Sequence, residues 1–321
     1  MTISILKCDI AALSGTSNIP DLIERAGASR RFVEFFAAQL RNQGTRVIYA
    51  RAIARFLTWC EVHELELTQI SPLAVASYVE QLSPDLSPPT IKQQLSAIRS
   101  LFDFLATGGH VPFNPASAVR GPRHVVKKGK TPVLSAKEAR QLIAGINTST
   151  VSGLRDRALI GMMVFSFARV SAVVSMNLAD FFHQAGVKWF RFYEKGSKHH
   201  EVPAHHRATE YLRAYIEVCG KTWQPNDPLF RTVGPKRQLT PNRMHRVDVY
   251  RMIQRRAKQV ALVTPVCCHT FRATGITAYL KNGGRLEVAQ RIACHESVRT
   301  TKLYDRTSDT VHVEEIERIV I

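Results

Sequence analysis

Four residues in the last part of the chain carry side chains suited to phosphate chemistry: His269, Arg272, His295 and Tyr304. Arginine makes bidentate contacts to phosphate oxygens. Histidine donates or moves protons near neutral pH, and a tyrosine hydroxyl can attack as a nucleophile. The set therefore indicates a site for phosphate chemistry. The alternative is a helical tail with ordinary surface residues.

Consecutive short helices are expected to position these side chains. His269 and Arg272 lie three residues apart in a segment of helical composition, so they share one helix face. The Gly283-Gly284 pair ends that helix. A second helix is expected next, and its apolar face contains Leu286, Ala289 and Ile292.

The order of the residues, together with two upstream motifs, carries more information than any one of them. A His-x-x-Arg motif is followed by a histidine nine residues before a tyrosine, with Thr300-Thr301 just ahead of that tyrosine. Upstream stand Phe-Ala-Arg-Val-Ser around Arg169 and Glu-Lys-Gly-Ser-Lys around Lys195. This arrangement resembles the tyrosine recombinase (phage integrase) family. The resemblance assigns six catalytic positions, which are Arg169, Lys195, His269, Arg272, His295 and Tyr304.

The resemblance implies a strand-transfer reaction on DNA. Arg169 and Arg272 would bind the two non-bridging oxygens of a phosphodiester and neutralise the charge of its transition state. Tyr304 would attack the phosphorus, leaving a 3′-phosphotyrosyl link and a free 5′-hydroxyl. Because the link keeps the bond energy, the strand can be rejoined without metal or ATP, and no cofactor is expected.

The other three catalytic positions would manage protons. Lys195, on a hairpin, would protonate the leaving 5′-oxygen, a contribution typically worth roughly 10²–10⁴-fold. His269 would accept the tyrosine proton or hold the phosphate. His295 would donate a hydrogen bond to a non-bridging oxygen.

Three positions depart from the family pattern. Ala273 follows Arg272, where family members often have a histidine, and Cys294 replaces a common glycine before His295. Ala172 stands where an acidic residue usually follows the first arginine. That acidic residue usually buttresses the active site, so its loss leaves the local support of Arg169 in question.

Composition independently favours a polyanionic partner. The chain has 321 residues, a net charge of +18 and a pI near 10.0. Nucleic acid is the first expectation, and a membrane surface is the alternative. There is no apolar run long enough for a transmembrane helix and no clean signal-peptide pattern. Six scattered cysteines suggest free thiols in a reducing, bacterial cytoplasm.

The predicted fold is mainly α with a small antiparallel β-sheet, in a helical N-terminal domain and an α+β catalytic domain. Apolar stripes at helical spacing predict four helices over residues 30–106, resembling the family's core-binding domain. The boundaries are an N-terminal segment of unknown role at 1–28, a DNA-binding domain at 29–120, a basic linker at 121–133, a catalytic domain at 134–309 and a tail helix at 310–321.

Within the second domain, residues 153–167 predict a buried helix and residues 206–219 another helix. Alternating residues at 187–192 and 201–203 predict a hairpin. Thr240-Pro241 is expected to begin a further, arginine-rich helix.

Several cations are candidates for DNA contact, although each is equally readable as part of a solvated surface. Those in the helical domain are Arg51, Lys92 and Arg99. Those in the linker are Lys127, Lys128 and Lys130, where an acid-free connector can track a phosphate backbone. Those in the second domain are Lys198 and Arg243.

The resemblance also implies partners. Two domains on a linker would clamp double-stranded DNA at an inverted-repeat core site, with a tetramer in the synapse and an accessory DNA-binding protein as an optional partner. The tail could dock in a neighbouring protomer or fold back on its own domain. Integration, excision and resolution of a mobile or circular element stay open. Alternatives are a type IB topoisomerase and a catalytically silent DNA-binding protein.

A metal site is the competing interpretation of two histidine- and cysteine-rich stretches. Four histidines lie between residues 199 and 206, and Cys267-Cys268 precedes His269. Their spacing matches no zinc pattern, which needs about four converging ligands. No metal is therefore expected, and the double cysteine is interpreted as packing.

Overall fold

The computed structural model describes residues 19–124, 129–194, 199–220 and 223–305. The chain divides into two compact units, with the boundary between Val125 and Val126. Among the described helices, none combines the length and the apolar character that crossing a bilayer requires.

The first unit is helical throughout its ordered elements. Its α-helices are α1 (Asp21–Arg25), α2 (Ser29–Glu34), α3 (Gln43–Val62), α4 (Pro72–Leu82) and α5 (Pro88–Thr107), with a π-helical turn at Phe35–Gln39 and a 3₁₀ turn at Leu67–Gln69. Ser71 caps α4 by accepting from the Ala74 amide. Proline occupies the first helical position of α4 and α5, where its missing N–H is not needed.

The four predicted apolar stripes form one core in this unit. Phe56 lies at its centre and contacts Tyr78 and Phe102 edge to face. Leu22 and Ile23 of α1 are fully buried in the same core, so residues 19–28 pack with the helical domain rather than apart from it. Residues 1–18, whose role the sequence did not indicate, lie outside the described residues.

The second unit surrounds a small antiparallel sheet with helices. Its helices are α6 (Ala136–Ala144), α7 (Val151–Phe165), α8 (Val170–Ser175), α9 (His206–Cys219), α10 (Arg246–Gln259), α11 (Cys268–Lys281), α12 (Leu286–Ile292) and α13 (Val298–Lys302), with a 3₁₀ turn at Leu178–Asp180. Its strands are β1 (Phe181–Gln184), β2 (Val187–Tyr193), β3 (His199–Pro203), β4 (Arg231–Val233) and β5 (Leu239–Arg243).

The three-stranded sheet has the order β1-β2-β3, and all its pairings are antiparallel. Phe190 is opposite Phe181 on one side and Val202 on the other. Because side chains alternate across a strand, Phe190 and Phe192 both point into the core, where both are fully buried. The predicted hairpin is therefore present, and β1 extends it by one strand that the sequence analysis did not identify.

The helix α11 approaches α7 closely because residue 275 is glycine. A Cβ added at Gly275 would lie 2.0 Å from the Val164 carbonyl oxygen and 2.8 Å from the Phe167 ring. Only a residue without a side chain fits at this distance. This contact fixes the position of α11 relative to α7, and with it the positions of His269 and Arg272.

The predicted fold class is confirmed, and one element is wrong. Thr240-Pro241 does not begin a helix but lies in β5, which pairs with β4 in a two-stranded ribbon. Proline is tolerated in such an edge strand because no further strand needs its N–H. The following helix, α10, begins only at Arg246, after an N-cap at His245. The predicted tail at 310–321 lies outside the described residues.

Candidate active site

Arg272 is the most enclosed cation among the described residues of the second unit, with 1% of its surface exposed. Its guanidinium donates from Nη1 to the Phe167 carbonyl and from Nη2 to the Ala293 carbonyl, the latter at 2.6 Å. These carbonyls belong to the loop after α7 and to the end of α12. Arg272 therefore joins three elements, and its position is fixed by backbone atoms on two sides.

Burial, and to a smaller extent the nearby charge of Arg169, lower the pKa of Arg272 to about 10. The neighbouring Tyr304 side chain acts in the opposite direction. Arg272 stays protonated at neutral pH, so the site holds two like charges close together.

Arg169 follows a tight loop after α7. Phe167 adopts a positive φ of 56°, and the Ala168 amide donates to Ser166 Oγ at 3.3 Å. Arg169 then serves as the N-cap residue of α8, but its side chain makes no capping bond. It does not close the carboxyl end of α7 either. Nη1 instead donates to Glu194 Oε2 at 2.7 Å.

Glu194 is a site residue that the sequence analysis did not identify. It follows β2 directly, and its side chain is 4% exposed. The alternation of side chains along β2 could have indicated that Glu194 is buried. Phe190 and Phe192 point inward, and the next residue on that face is Glu194. Arg169 thus has a carboxylate partner at the end of the sheet, whereas Ala172 offers none.

His269 lies in the first turn of α11 and keeps much of its surface exposed, as contact with a substrate requires. Desolvation of its ring by surrounding protein atoms lowers its pKa, and the charges of Arg272 and Arg169 lower it further. The ring is therefore neutral at physiological pH and able to accept a proton.

His295 is buried, and its Nδ1 lies 2.8 Å from Thr301 Oγ1. Burial lowers its pKa to about 3, with smaller effects from Arg272, Arg169 and His269 in that order. A neutral ring that accepts the Thr301 hydroxyl proton at Nδ1 carries its own hydrogen on Nε2. Thr301 is fully buried and is a second residue that the sequence analysis did not place in the site.

Tyr304 follows α13, and its ring stacks on His295 with 5.7 Å between the ring centroids. Its carbonyl accepts a hydrogen bond of 2.9 Å from Thr277 Oγ1 on α11. The preceding carbonyl, of Leu303, accepts a hydrogen bond of 2.9 Å from the Gly129 amide. The tyrosine is therefore held against the arginine and histidine of its own chain.

The structure brings five of the six predicted catalytic residues together, while Lys195 lies outside the described residues. His200 on β3 is close to the same charges, because Glu194, Arg272 and Arg169 all act on it. Burial is the main reason that its pKa is lowered. Its Nε2 is 3.3 Å from the Ile292 carbonyl oxygen.

The predicted DNA-contact residues fall into three groups. Arg51, Lys92 and Lys130 are exposed. Three more lie outside the described residues, namely Lys127, Lys128 and Lys198. The remaining two, Arg99 and the exposed Arg243, donate hydrogen bonds to backbone carbonyls within the protein. Arg99 donates to the carbonyls of Ala116 and Val119.

Arg243 likewise donates to two backbone carbonyls, those of Val174 and Met176, each at 2.7 Å. One arginine of helix α10 is also bound within the protein. Arg256 is buried and donates from Nε and Nη2 to Asp156 Oδ2 at 3.0 and 2.7 Å. These arginines stabilise the unit, so they add less to a nucleic-acid surface than the sequence suggested.

The four clustered histidines do not converge on one point, although His205 and His206 stack with 4.2 Å between ring centroids. His205 stacks on Phe165 with 4.2 Å between ring centroids, His199 contacts Tyr193, and His200 faces Ile292. Among the described residues, no three histidine, cysteine or acidic side chains come close enough to share a metal ion. Cys267 is the N-cap of α11, and Cys268 is partly buried beside it.

Comparison with known proteins agrees with this geometry. Residues 132–310 match the phage integrase family, and residues 30–109 match its N-terminal SAM-like domain. Tyrosine recombinase XerC of Chlamydia muridarum is 30% identical over 236 residues, which cover 72% of this chain and 70% of that protein.

Two solved structures share the fold. A lambda integrase dimer bound to a COC′ core site has a TM-score of 0.67 at 17% identity, covering 92% of this chain and 99% of that one. A lambda integrase tetramer bound to a Holliday junction has a TM-score of 0.66 at 16% identity, covering 97% and 88%. Since the family match extends over more than half of its length, the chain belongs to the phage integrase family and is a tyrosine-type site-specific recombinase.

Proposed function

We propose that the protein cleaves and rejoins DNA strands through a 3′-phosphotyrosyl intermediate on Tyr304. The observation that supports this most directly is the stacking of Tyr304 on neutral His295 beside buried Arg272. A nucleophile, a hydrogen-bond donor and a fixed positive charge thus lie together. His295 is neutral and Arg272 is charged, as their roles require.

The two arginines favour a bound phosphodiester. Arg169 lowers the pKa of Arg272, so the two positive charges repel each other in the free protein. A phosphate between them removes this repulsion and accepts their hydrogen bonds. Their positive charge neutralises the negative charge of the phosphorane-like transition state. A divalent metal ion has this role in many nucleases. The reaction as proposed therefore uses no metal or ATP.

Proton transfers complete the step. As Tyr304 Oη bonds to phosphorus, its proton passes to neutral His269. The bond from phosphorus to the 5′-oxygen breaks, and that oxygen takes a proton from Lys195. Since one phosphodiester replaces another, the covalent intermediate retains the energy needed for rejoining.

Cleavage would occur in cis. The carbonyl of Tyr304 is bound by Thr277, and that of Leu303 by Gly129, both in the same unit as Arg272. Each protomer then attacks the phosphate that its own arginines bind.

The biological substrate we propose is double-stranded DNA with an inverted-repeat core site, bound by a tetramer when two sites are paired. Support comes from the tetramer on a Holliday junction formed by lambda integrase, whose fold this chain shares. The reaction would integrate, excise or resolve a mobile or circular element in the bacterial cytoplasm, with or without an accessory DNA-binding protein. A tail helix at 310–321 docking in the neighbouring protomer would link the four subunits.

A nicked suicide substrate tests the covalent step. Inverted repeats flanking the gene would supply the site, with the nick placed so that the cleaved fragment diffuses away. The wild-type protein should form an adduct that denaturing gels resolve. Tyr304→Phe should form none yet bind the site normally, because only the hydroxyl is lost. Tyr250→Phe, at an exposed position on α10, is the matched control. Cleavage by Tyr304→Phe would refute the proposal.

The leaving-group acid can be tested on the same substrate. Lys195→Ala should cleave slowly, and replacing the 5′-oxygen by sulfur should restore the rate, because a thiolate leaves without a proton. Lys198→Ala is the comparison. If sulfur restored the rate of Lys198→Ala instead, Lys198 would be the leaving-group acid.

A separate assay distinguishes the alternative function. Relaxation of a supercoiled plasmid without strand exchange between paired sites would favour a topoisomerase.

A further inference from the structure

The carboxylate of Glu194 is buried beside the active site at an energetic cost. Its side chain is 4% exposed, and its Oε2 accepts from Arg169 Nη1 at 2.7 Å. Its other oxygen, Oε1, is also buried and has no hydrogen-bond partner among the described residues. A buried carboxylate with one oxygen unpaired is unfavourable unless its charge is used.

Arg169 needs such a partner. One third of its side chain is exposed (34%), so few packing contacts restrict the guanidinium. The charge of Arg272 repels it. The helix α8 offers no acid nearby, because Ala172 occupies the position expected to provide one and is itself buried. Glu194 is the carboxylate that the structure places against Arg169.

We propose that Glu194 is the positioning residue for Arg169, supplying from the end of β2 the support that an acidic residue at position 172 would otherwise give. This inference rests on the proposed function. It also has a consequence for the hairpin, because Glu194 is followed immediately by Lys195 in the chain. The residue directly before the proposed acid therefore also holds the phosphate-binding arginine in place.

Three DNA substrates that differ at the scissile phosphate show whether Glu194 acts through Arg169 or through Lys195. The first is ordinary DNA. The second has sulfur in place of the 5′-oxygen, so it needs no acid. The third is a methylphosphonate, in which a methyl group replaces one charged non-bridging oxygen and less positive charge is needed. Wild-type protein, Glu194→Gln, Glu194→Ala and Arg169→Ala would be compared on all three.

The matched control is Glu201→Gln. Glu201 lies on the adjacent strand β3 and pairs with Arg191 at 2.8 Å, but this ion pair is on the surface. Its loss should change no cleavage rate by more than about twofold, since surface pairs contribute little.

We expect Glu194→Ala to cleave ordinary DNA roughly 10–100-fold more slowly than wild type, up to the effect of losing one electrostatic stabiliser. Sulfur should not restore the rate, whereas the methylphosphonate should bring variant and wild type within about threefold. The cleavage rate of Glu194→Gln on ordinary DNA should lie between the rates of Glu194→Ala and the wild type. The double variant with Arg169→Ala should be no slower than Arg169→Ala alone, because the two residues act as one unit.

Other outcomes overturn the inference. Rescue by sulfur alone would mean that Glu194 acts through the lysine. An equal loss on all three phosphates, with lowered thermal stability in Glu194→Gln as well, would mean a general structural role. Rates equal to those of Glu201→Gln would mean no role. A wild-type protein that forms no adduct refutes the proposed function itself, and this inference with it.

Discussion

At the scale of single residues, the two arginines are held in different ways. Arg272 is fixed by backbone carbonyls of two elements, so folding orders it before substrate arrives. Arg169 is held by one carboxylate and is partly exposed. Charge placed in advance costs no reorganisation during the reaction. In the proposed reaction, Arg272 would be the fixed group against which the phosphate, the tyrosine and Arg169 are aligned.

Thr301 should matter to catalysis without touching DNA. Thr301→Val keeps the shape but removes the hydroxyl that lies 2.8 Å from His295 Nδ1. The tautomer with hydrogen on Nε2 then loses its support. A hydrogen bond is worth about 0.5–1.5 kcal/mol, which corresponds to roughly 2–10-fold in cleavage rate. Single-turnover cleavage of a suicide substrate would measure it.

The neighbouring threonine is the control. Thr300 is exposed in the same short helix, so Thr300→Val should cleave at the wild-type rate. If both variants were equally slow, the effect would come from α13 as a whole and not from the contact with His295.

The buried histidine should make the folded state sensitive to acid. Its folded pKa, about 3, lies below the ordinary value near ~6.5. As pH falls, the unfolded chain therefore binds the proton first. Stability that is fully present above about pH 6.5 is then lost between that pH and about 3.

Denaturant unfolding of the DNA-free protein at about pH 7.5 and about pH 5 would measure this loss. The wild type should lose more stability between them than His295→Asn, by on the order of 1 kcal/mol after allowance for partial solvent screening. An identical loss in both proteins would show that His295 titrates normally.

At the scale of elements, the contact between α11 and α7 should tolerate no added side chain. Gly275→Ala would place a methyl group 2.0 Å from the Val164 carbonyl oxygen. The helix must then shift, at a cost of roughly 1–3 kcal/mol. The shift would also pull Arg272 from the Phe167 carbonyl. Both the melting temperature and the cleavage rate should fall.

Gly44→Ala is the matched comparison. This glycine also lies within a helix, but its added methyl would meet only the Asn42 side chain, at 3.2 Å. It should leave the cleavage rate unchanged. Full cleavage activity in Gly275→Ala would show that the arginine does not depend on this helix contact.

Elements were predictable from sequence where local pattern decides the structure. The helix at 206–219 has one apolar face and was predicted with the observed bounds. Thr240-Pro241 misled because proline serves equally at a helix start and on an edge strand. Glu194 was missed because it meets Arg169 across 25 residues of chain. Only the tertiary packing of α8 against β2 brings these two residues together.

At the scale of the whole molecule, part of the net charge of +18 is used for internal structure. Asp156 alone forms ion pairs with Arg155 and Arg256, and in each pair the arginine Nη2 lies 2.7 Å from a carboxylate oxygen. The charge available to DNA is therefore smaller than the composition suggests. Binding should depend on particular exposed cations more than on the total.

Salt dependence tests which cations those are. Each neutralised phosphate contributes roughly −0.9 to the slope of log affinity against log salt. Changing Lys127, Lys128 and Lys130 together to alanine should flatten the slope by up to ~3. The control triple, of equal charge, changes the exposed lysines Lys137, Lys236 and Lys258. Equal flattening by both triples would indicate a response to net charge alone.

The hydrogen bond between the Gly129 amide and the Leu303 carbonyl has a practical consequence for dissecting the protein. The family match begins at residue 132, which invites a catalytic fragment starting there. Such a fragment would omit Gly129 and leave the backbone directly before the nucleophile without this partner. A fragment that starts at Val126, the first residue of the second unit, keeps it. Weak cleavage by the shorter fragment would then result from the loss of Gly129, and it would not show that cleavage requires the helical domain.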